Sequence, residues 1–217
     1  MEDAALDAAM ITGTDRDVRA SYHTLASRAK TMRLGLVEEQ VVVLDTETTG
    51  FRAGSDQLIQ IAAAIMDGPD IVERFSTYVN PGCRIPDQIV ELTRITDEDV
   101  ADAPGPSEAV RLFEEFAGRR TLIAHNAKFD RSFLAYEVEE GSWIADEGAW
   151  TDSLDLARIA LPRMRAHDMH TLSRAFSVAP STHRATDDVE ALCAVWRICL
   201  TSLADMPART RYCRLWS

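Results

Sequence analysis

Positive charge is scarce in this sequence: 23 Lys and Arg residues stand against 35 Asp and Glu, a formal net charge of −12. Proteins that coat nucleic acid gain affinity by neutralising phosphates with Lys and Arg, so the balance argues against that class. A phosphodiester substrate stays open, because bound divalent cations can supply positive charge locally. Cysteine is sparse too. Cys83, Cys193, Cys199 and Cys213 form no Cys-x-x-Cys pair, and a chain of this size needs no disulfide staples, so reduced thiols are expected. No stretch approaches the roughly 20 apolar residues of a membrane span. The N-terminus, Met1-Glu2-Asp3-Ala4-Ala5-Leu6-Asp7, is acidic where a secretory signal is basic. A cytoplasmic protein with no membrane partner is the expectation. Internal repeats and low-complexity tracts are absent from the sequence.

What is present suits one domain of ordinary to large size: 217 residues, 46% of them hydrophobic. Residues 1–39 carry helical spacing at Val18, Tyr22, Leu25 and Ala29, which reads as an amphipathic extension that packs on the domain or serves a partner. From Val41 the pattern turns to strand. Leu58 to Met66 gives a second strand, Asp67-Gly68-Pro69-Asp70 a turn and Ile71 to Val79 a third, together an antiparallel meander. Short helices follow at Ile85 to Leu92 and after Thr96, a candidate cap, and a longer one from Ser107 to Phe116. Thr121 to His125 reads as a short buried strand returning through a helix over 126–139. Helices are expected at 153–160, 171–176 and 186–203, with a fifth strand near Trp150. This order suggests an α/β layered domain with a mixed sheet and helices on its faces. The main domain spans 40–204. Residues 205–217 form a short tail whose Arg209-Thr210-Arg211-Tyr212-Cys213-Arg214 is the only basic segment.

The most informative segment is Val41-Val42-Val43-Leu44-Asp45-Thr46-Glu47-Thr48-Thr49-Gly50. Residues i and i+2 of a strand share a face, so Asp45 and Glu47 converge at the end of an apolar strand. Buried carboxylates need partners, and hard divalent cations take oxygen ligands of this kind. The pair alone is equally compatible with a solvated strand end. Three further segments change that: His125-Asn126-Ala127-Lys128-Phe129-Asp130 at a strand-to-helix junction, His183-Arg184-Ala185-Thr186-Asp187-Asp188 at a helix start, and Leu92-Thr93-Arg94-Ile95-Thr96 in a connecting loop.

In this order and setting, Asp45, Glu47, Asp130, His183 and Asp188 resemble the five residues of the DEDDh 3'-to-5' exonucleases. The likeness is greatest to the epsilon proofreading subunit of bacterial DNA polymerase III and its stand-alone relatives, and covers roughly Val41 to Leu203. It implies a ribonuclease H-like fold, a five-stranded mixed sheet flanked by helices. It also implies two divalent cations, Mg²⁺ or Mn²⁺, held by Asp45, Glu47, Asp130 and Asp188, with Asp45 shared between them and Asp130 on the leaving-group side. His183 would take the proton from the attacking water, as befits a side chain titrating near neutrality. The substrate would be a single-stranded DNA 3' end and the product a nucleoside 5'-monophosphate; the alternatives are an RNA-trimming enzyme and a polymerase-associated module in which catalysis is secondary.

On the substrate side the resemblance points to the Thr48 N–H for the terminal 3'-hydroxyl and to Phe51 as a wedge against the terminal base; as a residue on its own, Phe51 also reads as core. Aromatic stacking would accept any base. His125 reads as positioning the Asp130 loop, Asn126 as a turn residue bonding nearby backbone, and Asp152 and Asp155 as caps. His167 and His170 read as surface loop residues. Arg94 stands where relatives commonly carry Gly, so a local departure of that loop is expected. Epsilon-like subunits dock their polymerase through an extension after the nuclease domain, which the short tail resembles poorly. A polymerase partner and the oligomeric state stay open.

Overall fold

In a computed structural model of the protein, residues 40–139, 141–178 and 184–205 are described. The helix expected over 1–39, the tail beyond 205 and His183 lie outside the described residues. A five-stranded sheet runs in the order β3-β2-β1-β4-β5: β1 (Val41–Thr48), β2 (Leu58–Asp67), β3 (Asp70–Tyr78), β4 (Thr121–Ala124) and β5 (Trp150–Asp152). The first three are antiparallel and β4 and β5 join in parallel, so the sheet is mixed, as the sequence pattern indicates. β1 and β2 are apolar almost throughout because they lie centrally and are covered on both faces. The edge strand β3 is largely exposed.

The helices are α1 (Asp87–Thr93), α2 (Asp97–Val100), α3 (Pro106–Ala117), α4 (Lys128–Glu137), α5 (Ser153–Ala160), α6 (Met169–Phe176) and α7 (Ala185–Asp205). Residue parity along β1 sorts them. Val41 and Val43 pack with Leu156, Leu172, Val189 and the fully buried Trp196, from α5, α6 and α7. Val42 and Leu44 pack with Val110, Phe113, Phe133 and Leu134, from α3 and α4. Burying a side chain of this size contributes about 1.5–3 kcal/mol, so these two faces carry the fold. Among the described residues no helix is long and apolar enough to cross a membrane.

Several boundaries have local causes. Thr96 caps α2 in a reciprocal box with Asp99, as its position indicates. α3 begins at Pro106 rather than Ser107, behind Gly105, because the fixed φ of proline suits the first helical position. α6 begins two residues earlier than its spacing suggests, since the Asp168 carboxylate accepts the Thr171 N–H. His170 therefore lies on a helix, not a loop, and His167 bonds the Leu161 carbonyl through Nε2 at 2.9 Å. Arg94 closes α1 in the left-handed conformation (φ 65°, ψ 11°), at a cost of about 1 kcal/mol for a residue with a Cβ; the turn a glycine would make is made here by arginine.

Candidate active site

The site forms where β1 outruns its neighbour. β4 pairs with β1 only through Val43. Asp45 and Glu47 follow on the parity of Val41 and Val43, so they face α7, whose first turn carries Asp188. Carboxylate oxygens of Asp45, Glu47 and Asp188 all lie within 4.8 Å of one another. The start of α7 is fixed by Gln60 of β2, a buried amide whose Oε1 accepts the Ala185 N–H at 3.2 Å.

Asp130 reaches the same place from the opposite face. Thr46 lies between the two acids and has the other parity, and its hydroxyl donates to Asp130 Oδ1 at 2.8 Å. Asp130 is 3% exposed, Glu47 and Asp188 9% each. All four acids line one cavity of about 220 Å³, together with His125, Asn126, Phe129, Met169 and Leu192.

Burial and crowding set the electrostatics. The Asp45 carboxyl is raised well above its usual range, first by loss of water and then by the charges of Asp130, Glu47 and Asp188. Burial pushes Glu47 up to about 8, with Asp188 and Asp130 adding to it. Asp130 rises to about 7 by burial, held down in part by the Thr46 hydroxyl and by backbone N–H groups. Charges so arranged disfavour one another. An all-oxygen, anionic donor set of this spacing fits a hard divalent cation, and no thiol or imidazole need be invoked.

The remaining candidates fall into two groups. Thr48 ends β1 at a bulge, buried, its hydroxyl donating to the Gly50 carbonyl. Phe51 is 81% exposed, which removes the reading of it as core. His125 and Asn126 brace the β4–α4 turn. The His125 Nδ1 lies 2.9 Å from Ser153 Oγ, and the Asn126 N–H donates to Asp152 Oδ1 at 3.0 Å. Asp152 also caps α5 through the Leu154 N–H, so it acts as a cap and as a brace for the turn leading to Asp130. Asn126 has φ 67°, a conformation Asn tolerates better than most residues. His125 is largely buried, which lowers its pKa.

Sequence reasoning missed Thr46, Gln60, Met169 and Leu192. Strand parity could have flagged Thr46 as facing the second layer. Nothing local marks its partner 84 residues away.

Residues 42–196 match the family model described as exonuclease, RNase T. Among curated relatives, the PolC-type DNA polymerase III of Bacillus cereus is 38% identical over 157 residues, covering 72% of this chain and 11% of the polymerase. That of Bacillus subtilis is 39% identical over 163 residues with the same coverage. The chain thus spans about a tenth of the length of these relatives. Among solved structures, exonuclease X in complex with 5' overhanging duplex DNA superposes with a TM-score of 0.61 at 25% identity, over 80% of this chain and 98% of that one. Exonuclease I gives a TM-score of 0.64 at 18% identity, over 74% of this chain and 40% of that one, and shares the fold. With the mixed five-stranded sheet and an acidic cluster at the end of its central strand, these matches establish that the chain belongs to the RNase T exonuclease family of hydrolytic nucleases.

Proposed function

We propose that the chain is a metal-dependent 3'-to-5' exonuclease that hydrolyses single-stranded DNA from its 3' end and releases nucleoside 5'-monophosphates, in proofreading or repair. The observation that carries this reading is the convergence of Asp45, Glu47 and Asp188 within 4.8 Å, with Asp130 in the same cavity. Asp45, Glu47 and Asp188 would hold one divalent cation, and Asp130 would join Asp45 at a second. Cations bound there supply neutralisation of the phosphoryl oxygens and acidification of the attacking water. His183, five positions before Asp188, would accept the proton of that water. The Thr48 N–H would receive the terminal 3'-hydroxyl and Phe51 would stack on the terminal base. His125 and Asn126 would keep the Asp130 side of the pocket in register with the substrate.

Support for DNA comes from the relatives: exonuclease X was solved with duplex DNA, exonuclease I of E. coli with single-stranded DNA, and the curated relatives are DNA polymerases. We take residues 40–204 as the nuclease domain, 1–39 as a helical extension and 205–217 as a tail. A polymerase is the partner this reading favours.

The test uses 5'-labelled single strands of DNA and matched RNA with Mg²⁺ or Mn²⁺. Stepwise shortening from the 3' end, faster on DNA and abolished by Asp45→Ala, is expected. An unshortened strand, or an Asp45→Ala protein as active as wild type, would sink the proposal, and faster RNA cleavage would move it to RNA trimming. His183→Ala should slow turnover by roughly 10²–10⁴, and a loss below about threefold removes that residue from the role of base.

A further inference from the structure

The loop between β1 and β2 is heavily cross-braced. At its base the Thr49 N–H donates to the Gln57 carbonyl at 2.8 Å, and the Gln57 N–H donates back to Thr49 Oγ1 at 2.9 Å. Inside it, the Arg52 carbonyl accepts the N–H groups of Ser55 and Asp56 at 3.1 and 2.8 Å. The Arg52 N–H in turn donates to Asp56 Oδ2 at 2.9 Å. The Asp56 carboxyl group lies against Gly50: a Cβ at that position would come within 2.5 Å of it. Asp56 therefore occupies the space where a residue-50 side chain would be, and clips the loop on both sides of Phe51.

That clip holds an apolar side chain in water. Phe51 is 81% exposed, whereas a ring of this size left free to move would gain by turning onto the protein surface. The bracing serves no packing of Phe51 itself. Phe51 follows Glu47 by four residues, so any shift of the loop moves the ring relative to the acid cluster. The Asp56 carboxylate is turned into the loop, where it accepts the Arg52 N–H.

We propose that Asp56 is a positioning residue for substrate binding: by bonding the Arg52 N–H and seating against Gly50, it holds Phe51 out to receive the terminal base of a single strand. This rests on the reading of Phe51 as the terminal-base contact given above. A stacked base contributes enough that losing its platform weakens binding about tenfold.

Steady-state kinetics with Mn²⁺ on a 5'-labelled single strand and on bis(4-nitrophenyl) phosphate, which has a scissile ester but no base, test this. Asp56→Ala and Gly50→Ala should each raise KM for the strand about tenfold, with kcat within about threefold, and leave hydrolysis of the base-free ester unchanged. Asp56→Asn keeps an acceptor oxygen of the same shape and should restore KM to within about twofold of wild type. An unchanged KM in Asp56→Ala, parallel losses on both substrates, or failure of Asp56→Asn to rescue would each overturn the assignment. Wild-type protein inert on both substrates would overturn the exonuclease reading itself, and this inference with it.

Discussion

The carboxylates of this protein live in two contrasting settings. On the surface several are matched by arginines close in sequence: Glu108 and Glu115 flank Arg111, Asp155 bonds Arg158 at 2.8 Å, and Asp87 bonds Arg84 at 2.6 Å. These pairs follow helical i,i+3 and i,i+4 spacing, and the Arg111 bond holds Glu108 below its ordinary value. Around Asp45 and Glu47 the charges that act on them among the described residues are other carboxylates, and both are raised. The surface pairs are screened by water and contribute little to stability. The buried group opposes folding whenever it is ionised. Several outer acids thus have an arginine within hydrogen-bond reach, whereas the inner ones crowd against one another, a setting that suits cations from solution.

The contrast is broken most severely at Asp45. Asp45→Asn removes the acid proposed to be shared between the cations and should lower exonuclease turnover by about 10³ or more, since several kcal/mol of transition-state stabilisation would rest on bound cations. The same change should raise the melting temperature of the metal-free protein at pH 8, because one member of a repelling set is gone. A variant both inactive and destabilised would point to misfolding.

Thr46→Val sharpens the distinction between Asp130 and the other acids. Loss of the hydroxyl that holds Asp130 down should reduce activity near pH 7 by about tenfold. The higher carboxyl pKa should move the acidic limb of the pH–rate profile upward. A uniform loss at every pH would assign Thr46 a purely packing role.

The pH dependence of stability separates the two settings directly. Asp45, Glu47 and Asp130 bind protons more tightly folded than unfolded, so their stabilising contribution is present below their ordinary values near pH 4. For Asp130 and Glu47 it is lost as pH rises through about 7 and about 8, and the Asp45 contribution is likewise lost above its ordinary range. In EDTA the melting temperature should fall between pH 6 and 9, by on the order of 5 °C, and Mn²⁺ should restore it. A flat profile would remove the buried repulsion. At the other extreme, Arg111→Ala should leave activity unchanged and shift the melting temperature by no more than about 2 °C.

Much of this contrast was legible in the sequence, for physical reasons. Period-two alternation places Asp45 and Glu47 on one face whatever surrounds them, and their apolar strand marks burial. The meander and the helices of the second half announced themselves by periodicity and caps. Thr46 with Asp130, and Gln60 with Ala185, are separated by 84 and 125 residues, and no local pattern links such partners. At Arg94, which stands where relatives commonly carry Gly, the turn keeps its positive φ, because tertiary context overrode residue preference. The exposure of Phe51 was undecidable from its neighbours, since loop bracing through Asp56 and Gly50 sets it.

The buried acids are most directly tested by calorimetric titration of Mn²⁺ into metal-free wild-type protein and Asp45→Asn at pH 8. Saturable binding of about two ions to wild type, accompanied by proton release and lost in Asp45→Asn, is the expected result. Equal binding by the two proteins, or none by wild type, would contradict the assignment of Asp45, Glu47, Asp130 and Asp188 as a cation-held catalytic centre.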